Sequence, residues 1–244
     1  MSEFEGRRVL VTGANRGIGK AIVIALAKLK ANVVAFGRNK QQLEELSKQF
    51  PNVSTVICDV TDSAEKIKLS LKPFQPFHYL VNNAGIVILE DFVNLTEEAL
   101  TKQFQVNVRG PLIISQIVVS EMIEHGIHGS IVNISSQSSM KPLQAHTAYC
   151  STKAALDMAT KVMAKELGKY SIRVNCVNPT VVMTEMGKQV WSDENKAKGV
   201  LDRIPLNKFA EEVDVVNSVI FLLSENSRMT TGSALFVDGG YVNA

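Results

Sequence analysis

The feature that most constrains this chain is an alternation of short β-rich runs with segments whose apolar residues recur at helical spacing. The β-rich runs are Val9–Thr12, Asn32–Phe36, Val53–Cys58, His78–Val81, Ser130–Ser135, Ile172–Val177 and Ala234–Val237. Helical spacing marks Ile18–Lys30, Lys40–Phe50, Ser63–Leu71, Tyr149–Leu167 and Glu211–Leu223. Thr96, followed by Glu97 and Glu98, reads as the N-cap of a further helix running to about His125, kinked at Gly110-Pro111 and stopped by Gly126. A strand followed by such a helix cannot close a hairpin with the next strand. It must cross over and pair parallel, and parallel sheets are covered by helices on both faces. The expected fold is α/β: one domain over residues 1–244, a seven-stranded parallel sheet doubly wound by helices on both faces. The stretch Met183–Phe209 is polar and lacks a strong period, which marks it as an insertion or lid beyond the sixth strand.

Charge and cysteine content narrow the function classes. The net charge of +2, with no long basic block, does not suggest nucleic acid as a partner. The amino-terminal residues lack an apolar signal core, and no run approaches the roughly 18 apolar residues of a membrane span, so neither is expected. Cys58, Cys150 and Cys176 are odd in number and far apart, which fits reduced thiols and a cytoplasmic protein. No metal site is expected: His125, His128 and Glu124 lack a completing ligand set, and His78 reads as structural.

Thr12-Gly13-Ala14-Asn15-Arg16-Gly17-Ile18-Gly19 joins the first strand to the first helix. Glycines there permit a tight turn and close backbone approach, and the helix start attracts a pyrophosphate, as in a Rossmann dinucleotide fold. The spacing is G-x-x-x-G-x-G, neither the usual G-x-G-x-x-G nor a P-loop. The second strand ends Ala35-Phe36-Gly37-Arg38, without the acid that binds an NAD ribose. Arg16 and Arg38 would instead suit a 2′-phosphate, favouring NADPH/NADP+; the alternative is two exposed surface charges. Tyr149 and Lys153 lie one helical turn apart, where an ammonium would favour the phenolate and so help a phenol surrender its proton. A solvated Tyr and Lys is the alternative for that pair alone.

Taken in order, Thr12-Gly13-x-x-x-Gly17-x-Gly19, Asp59, Asn82-Asn83-Ala84-Gly85, Asn107, Ser136, Tyr149-x-x-x-Lys153, Pro179 and Asp238-Gly239-Gly240 resemble the short-chain dehydrogenase/reductase family across the whole chain. The resemblance implies that Tyr149 donates a proton to a substrate carbonyl whose oxygen Ser136 stabilises. Lys153 would favour the phenolate and hold the nicotinamide ribose, while Asn107, at a local distortion of the long helix, would position a proton-relay water. It implies a cofactor held by Gly13, Asn15, Arg16, Gly17, Ile18 and Gly19, by Arg38, Asp59 and Val60, and by Asn83, Ala84 and Gly85. Tyr149, Lys153, Pro179, Val182 and Thr184 would complete that site.

Further stretches, among them Ser135-Ser136-Gln137, Asn178 to Thr184 and Trp191-Ser192-Asp193, resemble the dicarbonyl/L-xylulose reductase branch. The substrate pocket is expected around Ser136, Gln137, Leu143, His146, Tyr149 and Trp191. The implied activity is NADPH-dependent reduction of small ketoses and α-dicarbonyls: L-xylulose to xylitol, diacetyl to acetoin. The alternatives are an NAD-dependent polyol or hydroxysteroid dehydrogenase and a non-catalytic nucleotide-binding scaffold. The resemblance also implies a homotetramer, for which Leu112, Ile113, Ile117 and Met158 are candidate contacts.

Overall fold

The computed structural model describes residues 2–191 and 193–243. Seven strands form one parallel sheet: β1 (Arg8–Thr12), β2 (Asn32–Gly37), β3 (Val53–Ile57), β4 (Tyr79–Asn82), β5 (Ser130–Ile134), β6 (Arg173–Pro179) and β7 (Ala234–Val237). Their order in the sheet is β3-β2-β1-β4-β5-β6-β7. Side chains alternate between two cores: Val9 and Val11 of β1 enter one and Leu10 the other, as do Val33 and Ala35 against Val34 and Phe36 of β2. Burial on both faces explains the near-continuous Val/Ile/Leu runs in the sequence.

Helices α1 (Gly17–Lys28), α2 (Lys40–Gln49) and α9 (Glu212–Leu223) fill the first core through Ile22, Leu43 and Val215. On the other face stand α3 (Ala64–Leu71), α4 (Glu97–Phe104), α5 (Gly110–Glu124) and α6 (Thr147–Leu167), with Ile67, Ile114 and Ala164 inward. The strand order reverses between β1 and β4, so the loops after them lead to opposite sides of the sheet and open a crevice at the strands' carboxyl ends.

One expectation is corrected. The break in the long helix is not at Gly110-Pro111 but in the turn before it, where Gln105–Arg109 adopts π-helical spacing. Pro111 follows that turn as the second residue of α5, inside one continuous helical run. The stretch 183–209 holds α7 (Glu185–Trp191) and α8 (Glu194–Leu201), too short for their periodicity to register. Its neck is closed by a bridge in which the Met183 N–H donates to the Ala210 carbonyl (2.8 Å) and the Ala210 N–H to the Val181 carbonyl (3.1 Å). The foot of the lid rests on Asp238-Gly239-Gly240, since a Cβ on Gly239 would lie 2.6 Å from Ile204 and one on Gly240 2.9 Å from Pro205. Among the described residues one helical run, Glu97–Glu124, is long and apolar enough to cross a membrane by length and composition. Half of its most apolar window is buried within the protein, and it serves as a core helix.

Candidate active site

Gly13 and Gly17 adopt φ of +62° and +52°, left-handed backbone open to glycine. A Cβ on Gly13 would lie 2.8 Å from the Ala84 Cα, and one on Gly19 would run into the Gly13 carbonyl oxygen and the Asn83 amide. Thr12 seals the contact: its hydroxyl accepts from the Asn83 N–H (3.0 Å) and the Ala84 N–H (3.1 Å). The Asn83 amide donates in turn to the Thr12 and Gly13 carbonyls (3.0 and 3.1 Å). Thr184, at the root of the lid, places its methyl 3.3 Å from a Cβ built on Gly17. The first turn of α1 has no acid and Arg16 makes no side-chain cap, so the positive end of this helix faces a cradle that side chains would fill. A dinucleotide fits that cradle. Ile18 packs partly into the core beneath it, and the Asn15 amide is turned away to Gln42 (2.8 Å).

Arg38 leaves the end of β2 well exposed, its guanidinium 3.2 Å from an Asp59 carboxylate oxygen. Burial pushes the Asp59 pKa up, but the Thr61 N–H and hydroxyl together with Arg38 outweigh it, so the net shift is downward. Val60 is buried beneath Gly110, where a Cβ would lie 3.0 Å from its own. Pro179 ends β6, and Val182 lies at the lid's neck.

The four candidate catalytic residues converge across the crevice. Ser136 follows β5 in extended backbone, and its hydroxyl acts on the Tyr149 phenol of α6 to lower its pKa. Lys153, one turn on, is buried, donates to the Ile134 carbonyl at 2.9 Å, and stands 5.6 Å from the Tyr149 ring centroid. Asn107 lies in the π turn, its amide oxygen accepting from the Ile86 N–H and its amide nitrogen donating to the Ile86 carbonyl (both 2.9 Å). That nitrogen also reaches the Thr152 hydroxyl (3.1 Å), which donates to the Tyr149 carbonyl (2.7 Å). Gly85 joins the two sides: a Cβ there would lie 3.5 Å from the Asn107 amide oxygen and 3.6 Å from the Lys153 Nζ.

Burial raises the Tyr149 pKa, and the Ser136 hydrogen bond only partly pulls it back. Burial lowers the Lys153 pKa to about 8, against Cys176 and Asp157, which both act to raise it. Burial therefore sets the direction of both shifts, the phenol upward and the ammonium downward. Thr152, fully buried between the pair, escaped the sequence reading although it lies inside the Tyr149-x-x-x-Lys153 motif.

Of the substrate candidates, Gln137 is buried beside Ser136 with its amide oxygen unpartnered. His146 stands edge-on to Tyr149 at 6.1 Å between ring centroids, its Nδ1 engaged 2.6 Å from the Gln144 carbonyl. The Leu143 carbonyl accepts from the His146 N–H (3.3 Å), and the loop is braced by the Glu90 N–H on the Ala145 carbonyl (3.1 Å). Trp191 packs against Phe209 across the lid, ring centroids 5.7 Å apart. Ser192 lies outside the described residues. Two surface concavities elsewhere, lined by Arg7, His78, Tyr79, His128, Arg173 and Glu225, sit at the amino-terminal edge of the sheet and include no candidate residue. His78 is structural there, its Nδ1 accepting from the Arg8 N–H at 3.1 Å. Glu121, Glu124 and His125 bring their ligand atoms within 4.8 Å at the outer end of α5, far along the chain from these residues.

A glycine cradle at the switch point of a doubly wound sheet, with Ser136, Tyr149 and a buried lysine beside it, defines a class: an oxidoreductase using NADP(H). Comparison with known proteins agrees. Residues 13–242 match a family model described as enoyl-(acyl carrier protein) reductase. The chain is 51% identical to D-erythrulose reductase of Gallus gallus over 239 residues, 98% of this chain and 97% of that protein. It is 52% identical to L-xylulose reductase of Mus musculus over 237 residues, 97% of each. The crystal structure of a gluconate 5-dehydrogenase from Burkholderia cenocepacia J2315 in complex with NADP and tartrate superposes with a TM-score of 0.93 at 29% identity, covering 98% of this chain and 96% of that one. The chain belongs to the short-chain dehydrogenase/reductase family.

Proposed function

We propose that this protein reduces the carbonyl of small ketoses and α-dicarbonyls with NADPH, L-xylulose to xylitol and diacetyl to acetoin, with Tyr149 as the acid. The observation that carries the reading is the convergence of Ser136, Tyr149 and Lys153, the amine 5.6 Å from the Tyr149 ring centroid and beside Gly85. NADPH, when bound, supplies the hydride. Ser136 and Tyr149 then offer two donors to the carbonyl oxygen where negative charge develops, and Tyr149 delivers the proton. The Lys153 ammonium stabilises the phenolate left behind, so its influence on the phenol belongs to the reaction rather than to the resting protein. Asn107 holds Ile86 and Thr152, and through them the spacing of Gly85, Tyr149 and Lys153. Arg38, freed from Asp59, and Arg16 would hold the 2′-phosphate, and Pro179 to Thr184 would hold the carboxamide and phosphates.

Gln137, Leu143, His146 and Trp191 form the proposed substrate wall, with residues 183–209 as its lid. Support for ketoses comes from the relatives named for L-xylulose and D-erythrulose. The polar Gln137 and His146 suit a hydroxylated substrate better than a steroid. We further propose a cytoplasmic homotetramer. The three free cysteines fit a reducing compartment. Met158 and Val162 on α6 are 58% and 48% exposed, whereas Ile117 is spent on the core. Sedimentation should give four times the chain mass of 26.7 kDa; a monomer contradicts the assembly. The activity is tested by following NADPH oxidation with L-xylulose, D-erythrulose, diacetyl, a steroid ketone and an acetoacetyl thioester, each repeated with NADH. Turnover confined to the first three and preferring NADPH is expected; preference for the steroid, the thioester or NADH overturns the assignment.

A further inference from the structure

The helix face that carries Tyr149 and Lys153 continues one turn further to Asp157. Asp157 is only 9% exposed. Its Oδ2 accepts from the Asn178 amide at 2.8 Å, while its Oδ1 is buried without a hydrogen-bond partner among the described residues. A carboxylate held this way is costly to bury, so its presence calls for a reason beyond packing. Asn178 supplies one. Fully buried in β6, its amide nitrogen also reaches the Ser136 carbonyl (3.2 Å) and the Ser139 hydroxyl (3.0 Å). Two N–H hydrogens are thus shared among three acceptors, and a single amide joins α6 to the segment that presents Ser136.

The geometry points to Asp157 as a positioning residue: through Asn178 it fixes the main chain that carries Ser136, and as a buried carboxylate one turn beyond Lys153 it holds that ammonium in place. The inference rests on the reading of Ser136, Tyr149 and Lys153 given above. Its electrostatic half agrees with the direction in which Asp157 acts on Lys153, opposing the loss of charge that burial imposes. The other groups facing Lys153 are Tyr149 from its own helix, Cys176 from β6, the Ile134 carbonyl from β5 and the neutral Asn107 from the π turn. Cys176 carries little charge, because burial and Asp157 both push its thiol far up.

Two variants separate the clamp from the charge. Asp157→Asn keeps the shape and still accepts from Asn178 but removes the charge. It is expected to move the alkaline limb of the reductase pH profile down by about one pH unit, cutting turnover at pH 8 about fivefold. NADPH affinity by fluorescence titration should stay within about twofold, since the site of change is behind the cofactor cradle. Asn178→Ala removes the clamp and leaves the charge, so kcat should fall about tenfold to a hundredfold with the limb unmoved. Wild-type kcat and an unmoved limb in Asp157→Asn, with only a lower melting temperature, would overturn the inference and leave Asp157 a packing residue. Should Asn178→Ala fail to fold, the limb in Asp157→Asn decides alone. A Tyr149→Phe variant that still turned over would instead overturn the underlying site.

Discussion

Tyr149 and Lys153 are pushed in opposite directions by the same cause, removal from water: the phenol keeps its proton more firmly and the ammonium less so. This keeps the proton on Tyr149 and puts the sensitive step on Lys153, with its pKa at about 8. Below that pH the amine is charged and can stabilise a phenolate; above it the charge is lost. Reduction should therefore hold its kcat/KM on the acid side and decline as pH rises through about 8, measured between about pH 6 and 10. A profile flat to about pH 10 would contradict that role. The Tyr149–Lys153 pair was legible from its helical spacing, whereas Ser136 and Asn107 came from the resemblance to the family. Their electrostatics were not, since burial sets the shifts and burial is a property of the folded chain. Thr152 and Asn178 were missed for the same reason: each is a common residue whose value lies in what it touches.

At the scale of elements, the crevice depends on how closely β1, α1 and the segment after β4 approach. Gly19→Ala drives a Cβ into the Gly13 carbonyl and the Asn83 amide, backbone and a doubly bonded side chain that have no room to yield. The expected result is a destabilisation of about 1–3 kcal/mol in denaturant titration and at least a tenfold loss of NADPH affinity. Gly168→Ala at the end of α6, where nothing lies within 4 Å, should be neutral or gain up to about 1 kcal/mol. Equal effects at the two positions would show that close approach is not what the loop requires. Strand and helix positions were readable to within a residue or two, with Thr96 read as an N-cap; Ser63, read as the start of its helix, caps it as well. Proline and glycine advertised a kink one turn late, whereas the distortion lies at Asn107, as the family resemblance implied, and is held by that side chain clasping Ile86. Helices α7 and α8 span at most eight residues, below the length at which a period can be told from chance.

For the whole molecule, topology follows directly from the sequence pattern: alternating elements leave few ways to wind a parallel sheet, and the winding places a crevice where the order reverses. The lid is the part that sequence left open, because its neck is a main-chain bridge between Val182 and Ala210 with no side-chain signature. What this architecture claims is that cofactor binding and proton delivery come from separate sets of residues meeting at the crevice. Tyr149→Phe tests the claim most directly, with NADPH titrated by fluorescence and reduction of L-xylulose followed by NADPH oxidation on the same preparation. The account predicts NADPH affinity within about twofold of the parent and turnover reduced by at least a hundredfold. Retained turnover in the phenylalanine variant would contradict it.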